Sequence, residues 1–126
     1  DDQIAVLGSE PQIYFYSGRR GATGYIYMYE LMKDHDRALQ MQQELIHEIE
    51  SATPEFLIFV ANHSSWIERP ESPNLLFDWF RGYKKEHYSL VGLVDSQGDE
   101  PVYDWSPAAQ WPPQSPLWIA LLQRRH

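Results

Sequence analysis

The chain has no cysteine. That excludes disulfide staples, thiol catalysis, Cys-ligated zinc and iron–sulfur clusters. It says nothing of compartment, because neither oxidising nor reducing surroundings require a residue that is missing. No apolar run reaches the ~18 residues a membrane helix needs. No signal peptide opens the chain, and no initiator Met: it starts Asp1-Asp2-Gln3-Ile4, as a fragment or processed chain would. Basic residues are few, with 10 Lys and Arg against 18 Asp and Glu, for a net charge of -8. A field of that sign repels phosphate backbones and argues against a general nucleic-acid binder. Internal repeats and low-complexity tracts are absent.

Several motifs are also missing. G-x-G-x-x-G is not present, and the glycines at Gly18, Gly21 and Gly24 lack the Gly-Lys-Ser/Thr ending of a P-loop. The histidines His35, His47, His63, His87 and His126 never take the spacing of H-E-x-x-H, and G-x-S-x-G is absent. Neither a cofactor nor a metal is therefore expected. Asp34-His35-Asp36 has metal-binding residue types but falls where a helix cap is expected.

The 126 residues fit one domain, 1–126, and can bury a core without staples. The chain is 14% aromatic, which is rich, and 22% charged, which is ordinary. Five of the nine prolines (Pro101, Pro107, Pro112, Pro113, Pro116) crowd the end of the chain beside Trp105 and Trp111. Proline lacks an N–H and fixes φ, so 99–116 reads as an ordered, irregular arm that packs down on the domain.

Hydrophobic patterning orders the rest. Ile4–Leu7 reads as a buried strand ending at Gly8. Ser9-Glu10-Pro11-Gln12 carries a capping pattern for a short helix over 13–17, with Gly18 as its left-handed stop. Tyr25–Tyr29 reads as a strand. Ala38, Met41, Leu45 and Ile49 set the helical period from Asp36 to Ala52, which Thr53-Pro54 stops. Phe56–Ala61 is apolar throughout, as in a strand covered on both faces. Ser72-Pro73 opens a helix with Leu76, Phe77, Phe80 and Tyr83 as its stripe; Tyr88–Val94 and Leu117–Leu122 complete the strands. The alternation predicts an α/β domain: three-layer and Rossmann-like, with a mainly parallel sheet of about five strands. The last strand is expected to be antiparallel, paired with Tyr88–Val94.

In such sheets ligands bind beyond the carboxyl ends of the strands. The candidates there are Ser9 and Glu10 at the first turn and Asn62 and His63 after the central strand. Arg19 and Arg20 form a potential clamp for phosphate or carboxylate, or pair with local acids in an acidic domain. His63 with Ser64 or Ser65 has the residue types of an activated serine, though a polar loop is the commoner reading. Trp66, Trp105 and Trp111 are candidates for a sugar-stacking platform, against the commoner use of tryptophan in packing.

The segment Ile4–Arg20, with Ala22-Thr23 and Tyr25-Ile26-Tyr27, resembles one found in bacterial membrane glycosyltransferases of the dolichyl-phosphate-mannose–protein mannosyltransferase group, of GT-C architecture. Glu10, Pro11, Tyr14, Gly18 and Arg19 match its pattern, and the match covers about 4–29. The resemblance implies a soluble C-terminal α/β domain outside the bacterial cell membrane, facing the periplasm or exterior. Transmembrane helices would precede it, and the membrane-embedded part of the same chain would be its partner. The family's catalytic acid sits on an early loop between membrane helices, so no catalytic residue carries over. The expectation is a non-catalytic domain of a transferase that uses a lipid-phosphate sugar donor, with glycan or acceptor as a further partner. The alternative is a free-standing α/β module that binds a nucleotide or sugar phosphate.

Overall fold

The computed structural model describes residues 3–9, 18–19, 21–22, 28–33, 36–61, 66, 72–95, 102–105 and 118–126. In chain order the elements are β1 (Ile4–Leu7), a 3-10 turn (Tyr29–Met32), α1 (Asp36–Ala52), β2 (Phe56–Ala61), α2 (Leu75–His87), β3 (Tyr88–Asp95), β4 (Val102–Asp104) and β5 (Trp118–Arg124). They form an α/β domain around one open mixed sheet of order β1-β2-β5-β3-β4, with β4 a three-residue edge strand.

The sheet is not mainly parallel. Among the described strands only β1 and β2 pair parallel, through the crossover helix α1, beside one isolated parallel bridge from Ile4 to Gly21. The pairs β2·β5, β5·β3 and β3·β4 are all antiparallel. The cause is the place of the last strand. β5 runs against both neighbours and enters between β2 and β3, separating two strands that point the same way. The expected antiparallel pairing of β5 with β3 is observed, from Tyr88↔Arg124 to Asp95↔Trp118. An apolar run such as β2 shows that a strand is central, whichever way its neighbours run.

Alternation along the strands divides the core. Ala5, Leu7, Leu57, Phe59 and Leu122 face α1 and α2, where they meet Leu45, Ile49, Leu76 and Phe80. Ile4, Val6 and Val60 point to the other face with Phe56, Ile58 and Ile119. Both described α-helices therefore lie on one face of the sheet, not one on each. Tyr29 belongs to the 3-10 turn, and Met28, just before it, is in no strand; the expected helix at 13–17 and residues 25–27 of the expected strand lie outside the described residues. So does most of the 99–116 arm, but Val102–Asp104 forms an edge strand on β3, the position in a sheet where a proline-flanked segment is tolerated.

Helix α1 ends as its sequence implies. Thr53 donates its N–H to the Ile49 carbonyl at 2.9 Å and takes a left-handed φ of 44° before Pro54. Helix α2 starts two residues later than Ser72-Pro73 suggests, and Asn74 at its N-cap makes no side-chain cap bond. The cap comes from α1 instead. Gln42, fully buried, accepts the Leu76 N–H at 2.9 Å and donates to the carbonyls of Leu31 (2.7 Å) and Pro73 (3.0 Å). Ser72 donates its hydroxyl to the Met32 carbonyl, tying the same turn to the start of α2.

Candidate functional site

Of the six residues singled out in the sequence, Ser9 and Arg19 are described; Glu10, Arg20, Asn62 and His63 lie outside the described residues. Ser9 follows Gly8, which holds a φ of 148° that favours glycine. The Ser9 side chain is buried, and its Oγ accepts the backbone N–H of Met28 at 2.7 Å. It thus fastens the end of β1 to the chain entering the 3-10 turn. Gly18, with φ 65°, turns the chain back, and Ala22 donates its N–H to the Ile4 carbonyl at 2.8 Å.

Arg19 lies at the other end of β1. Its guanidinium sits 4.9 Å above the Phe56 ring, and Phe56 is the register partner of Ile4. Ser9 lies beyond Leu7, at least ~10 Å further along the strand direction. The structure therefore does not bring Ser9 and Arg19 into one crevice. A cation over an aromatic face is itself a stabilising arrangement.

The tryptophans divide. Trp66 is core: it donates Nε1–H to the Val60 carbonyl at 2.8 Å and packs on Phe59 and Phe77. Trp111 lies outside the described residues. Trp105 is 62% exposed and Tyr103 60% exposed, and their rings are parallel within 9° at 6.5 Å between centroids. Tyr103 pairs with Val94, so the next position on the same face, Trp105, falls opposite Gly92. The Trp105 ring lies across that glycine: a Cβ at Gly92 would come within 2.5 Å of it. The absent side chain at Gly92 lets the ring approach the strand backbone, while most of Trp105 stays exposed. This pair presents two exposed, parallel aromatic rings, groups of the kind on which an apolar ring face stacks.

Sequence reasoning named Trp105 but missed Tyr103, its partner two residues away on the same strand face. The signal was the alternation Tyr103, Trp105 opposite Gly92. Among the described residues, no group of three or more His, Asp and Glu side chains could hold a metal ion, and no helix is long and apolar enough to cross a membrane. Comparison with family models, with curated proteins and with solved structures found no match.

Proposed function

We propose that this chain is a non-catalytic domain of a membrane glycosyltransferase that uses a lipid-phosphate sugar donor, placed outside the bacterial cytoplasmic membrane. The reading starts from the resemblance of the segment 4–29. The observation that carries it is the role of Ser9: the hydroxyl nearest the expected ligand end of β1 is buried and bonded to the Met28 N–H. Gly8 and Gly18 supply positive φ in the same segment. Ser9, Gly8 and Gly18 thus have structural roles, which supports a non-catalytic reading of this segment.

Within that reading, Tyr103 and Trp105 are the surface on which the glycan or acceptor sugar rests. Sugar rings present C–H faces to aromatic planes, and two parallel exposed rings offer that contact without charge.

The gene supplies the first test. Eight or more apolar segments of about 20 residues each, encoded in frame ahead of Asp1, are expected. An open reading frame limited to these residues overturns the reading. In a second test, the purified chain mixed with a polyprenyl-phosphate sugar and an acceptor peptide should transfer nothing. Turnover that disappears in Ser9→Ala would contradict the role given to Ser9.

A further inference from the structure

Tyr103 and Trp105 stand on the face of the sheet that carries neither described α-helix. Tyr103 is the register partner of Val94, and Val94 that of Ile119. Ile119 packs with Ile4, Val6 and Val60, on the side away from α1 and α2. Register partners share a face, and Trp105 follows Tyr103 by two positions, so both rings lie on that side.

The chain around them holds no base. From Glu86 to Gln123 there is no Lys or Arg, while Glu86, Asp95, Asp99, Glu100 and Asp104 are acids. Asp104 stands between the two aromatic residues in sequence. The described cations lie elsewhere. Arg19 is beside β1, at the opposite edge of the sheet from β4 and ~19 Å away at the usual strand spacing. Arg124 and Arg125 are engaged at the start of β3, far from Gly92, against which Trp105 lies. The Arg124 guanidinium is over the Tyr88 ring, and that of Arg125 donates to the carbonyls of Lys85, Glu86 and Tyr88. Lys33, Arg37 and the bases of α2 belong to the helical side of the sheet. Arg20 and Arg69 lie outside the described residues. On a chain of net charge -8, the two rings thus sit in a negative field, with no described cation beside them.

Resting on the sugar-stacking role of this pair, we propose that it is a subsite for an uncharged glycan, closed by charge to the phosphate-bearing donor. An aromatic face is the negative side of the ring quadrupole, so it offers the C–H face of a sugar a contact and an anion none. The field adds to that choice. Like charges at a surface repel over a Debye length, about 30 Å at 0.01 M salt and about 8 Å at 0.15 M. At low salt that reach exceeds the thickness of an edge strand, so Asp104 acts on a ligand at the rings whichever way it points. The pair therefore serves the acceptor side of the transfer, and the lipid-phosphate sugar is held elsewhere.

The test is an ¹⁵N titration of the full chain with a mannose disaccharide and with the same disaccharide carrying one phosphate, at about 0.01 M and about 0.15 M salt. The neutral sugar should shift the Tyr103 amide and the Trp105 indole with an affinity that salt leaves unchanged, and Trp105→Ala should abolish the shifts. The phosphorylated sugar should bind at least about threefold more weakly at the lower salt. That gap should narrow at the higher salt and in Asp104→Asn; should this variant fail to fold, the salt dependence decides alone. Equal affinities at low salt, or tighter binding of the phosphorylated sugar, overturn the inference and leave the stacking surface standing. If neither sugar moves the Tyr103 and Trp105 signals, the stacking role itself fails, and the charge selection with it.

Discussion

The side-chain carbonyl of Gln42 accepts the backbone N–H of Leu76, 34 residues away, so helix α1 caps helix α2. The same amide donates to Leu31 and Pro73, which leaves neither end of a fully buried side chain unpaired. A buried network is stabilising when every member is satisfied and costly when one is removed.

Gln42→Met keeps the volume and removes all three bonds. A buried group left without a partner costs about 1–3 kcal/mol, so the total loss should reach about 3 kcal/mol or more. Urea unfolding measures it. A loss under about 1 kcal/mol would show that water satisfies the site.

Thr53 holds a left-handed φ of 44° at the end of α1. A β-branched residue is unfavourable there, by about 1 kcal/mol relative to glycine. Thr53→Gly should therefore raise the urea midpoint, while Thr53→Val should not. Equal midpoints for all three chains would remove the claim of local strain.

Gly92→Ala places a methyl group where the Trp105 ring now lies. The ring must swing away, because the strand backbone cannot. The indole signal of Trp105 in an ¹⁵N spectrum should shift while the amides of α1 stay in place, with a stability loss of about 1 kcal/mol. An unmoved indole signal would mean that the ring does not rest on Gly92.

Tyr88 and Lys84 give alkaline stability its shape. Burial drives the Tyr88 phenol well above its ordinary value of 10.0, and its hydroxyl donates to the Pro54 carbonyl at 2.6 Å. The unfolded chain loses this proton first, so the stability Tyr88 contributes is intact below pH 10 and falls as pH rises past it. Lys84 acts with the opposite sign. Its folded pKa lies below 10.5, so the folded chain releases its proton first and stability is regained as pH approaches 10.5. Urea midpoints at pH 9, 10 and 11 should fall steeply only in the last step. Tyr88→Phe, less stable at pH 9 by about 1 kcal/mol, should flatten that fall. An unchanged slope would separate Tyr88 from it.

Local pattern made much of this fold legible. The period Ala38, Leu45, Ile49 defines α1 over Asp36–Ala52, and unbroken apolar character defines β2 over Phe56–Ala61. What local pattern does not carry is which strand lies beside which. Leu117–Leu122 reads as a strand from its own residues, but the insertion of β5 between β2 and β3 depends on pairings that, for β2, join residues as far apart in sequence as Phe56 and Gln123. Polar partners were hidden for the same reason. Gln42 stands on the buried stripe, four residues after Ala38 and three before Leu45, which marks it as a buried amide. Its partners belong to a different turn and a different helix. Ser9 was legible as a turn residue, whereas Met28, to which it is bonded, lies 19 residues on. Nor does local pattern show that the return of the chain at Gly21 puts Arg19 beside the start of β1, away from Ser9.

The most direct measurement of the account is an ¹⁵N titration of the purified chain with a mannose oligosaccharide, the mixture then analysed for new or cleaved sugar. The account predicts saturating shifts at Tyr103 and the Trp105 indole, lost in Trp105→Ala, with the oligosaccharide recovered intact. Release or transfer of sugar by the chain alone, or shifts that Trp105→Ala leaves unchanged, would contradict it.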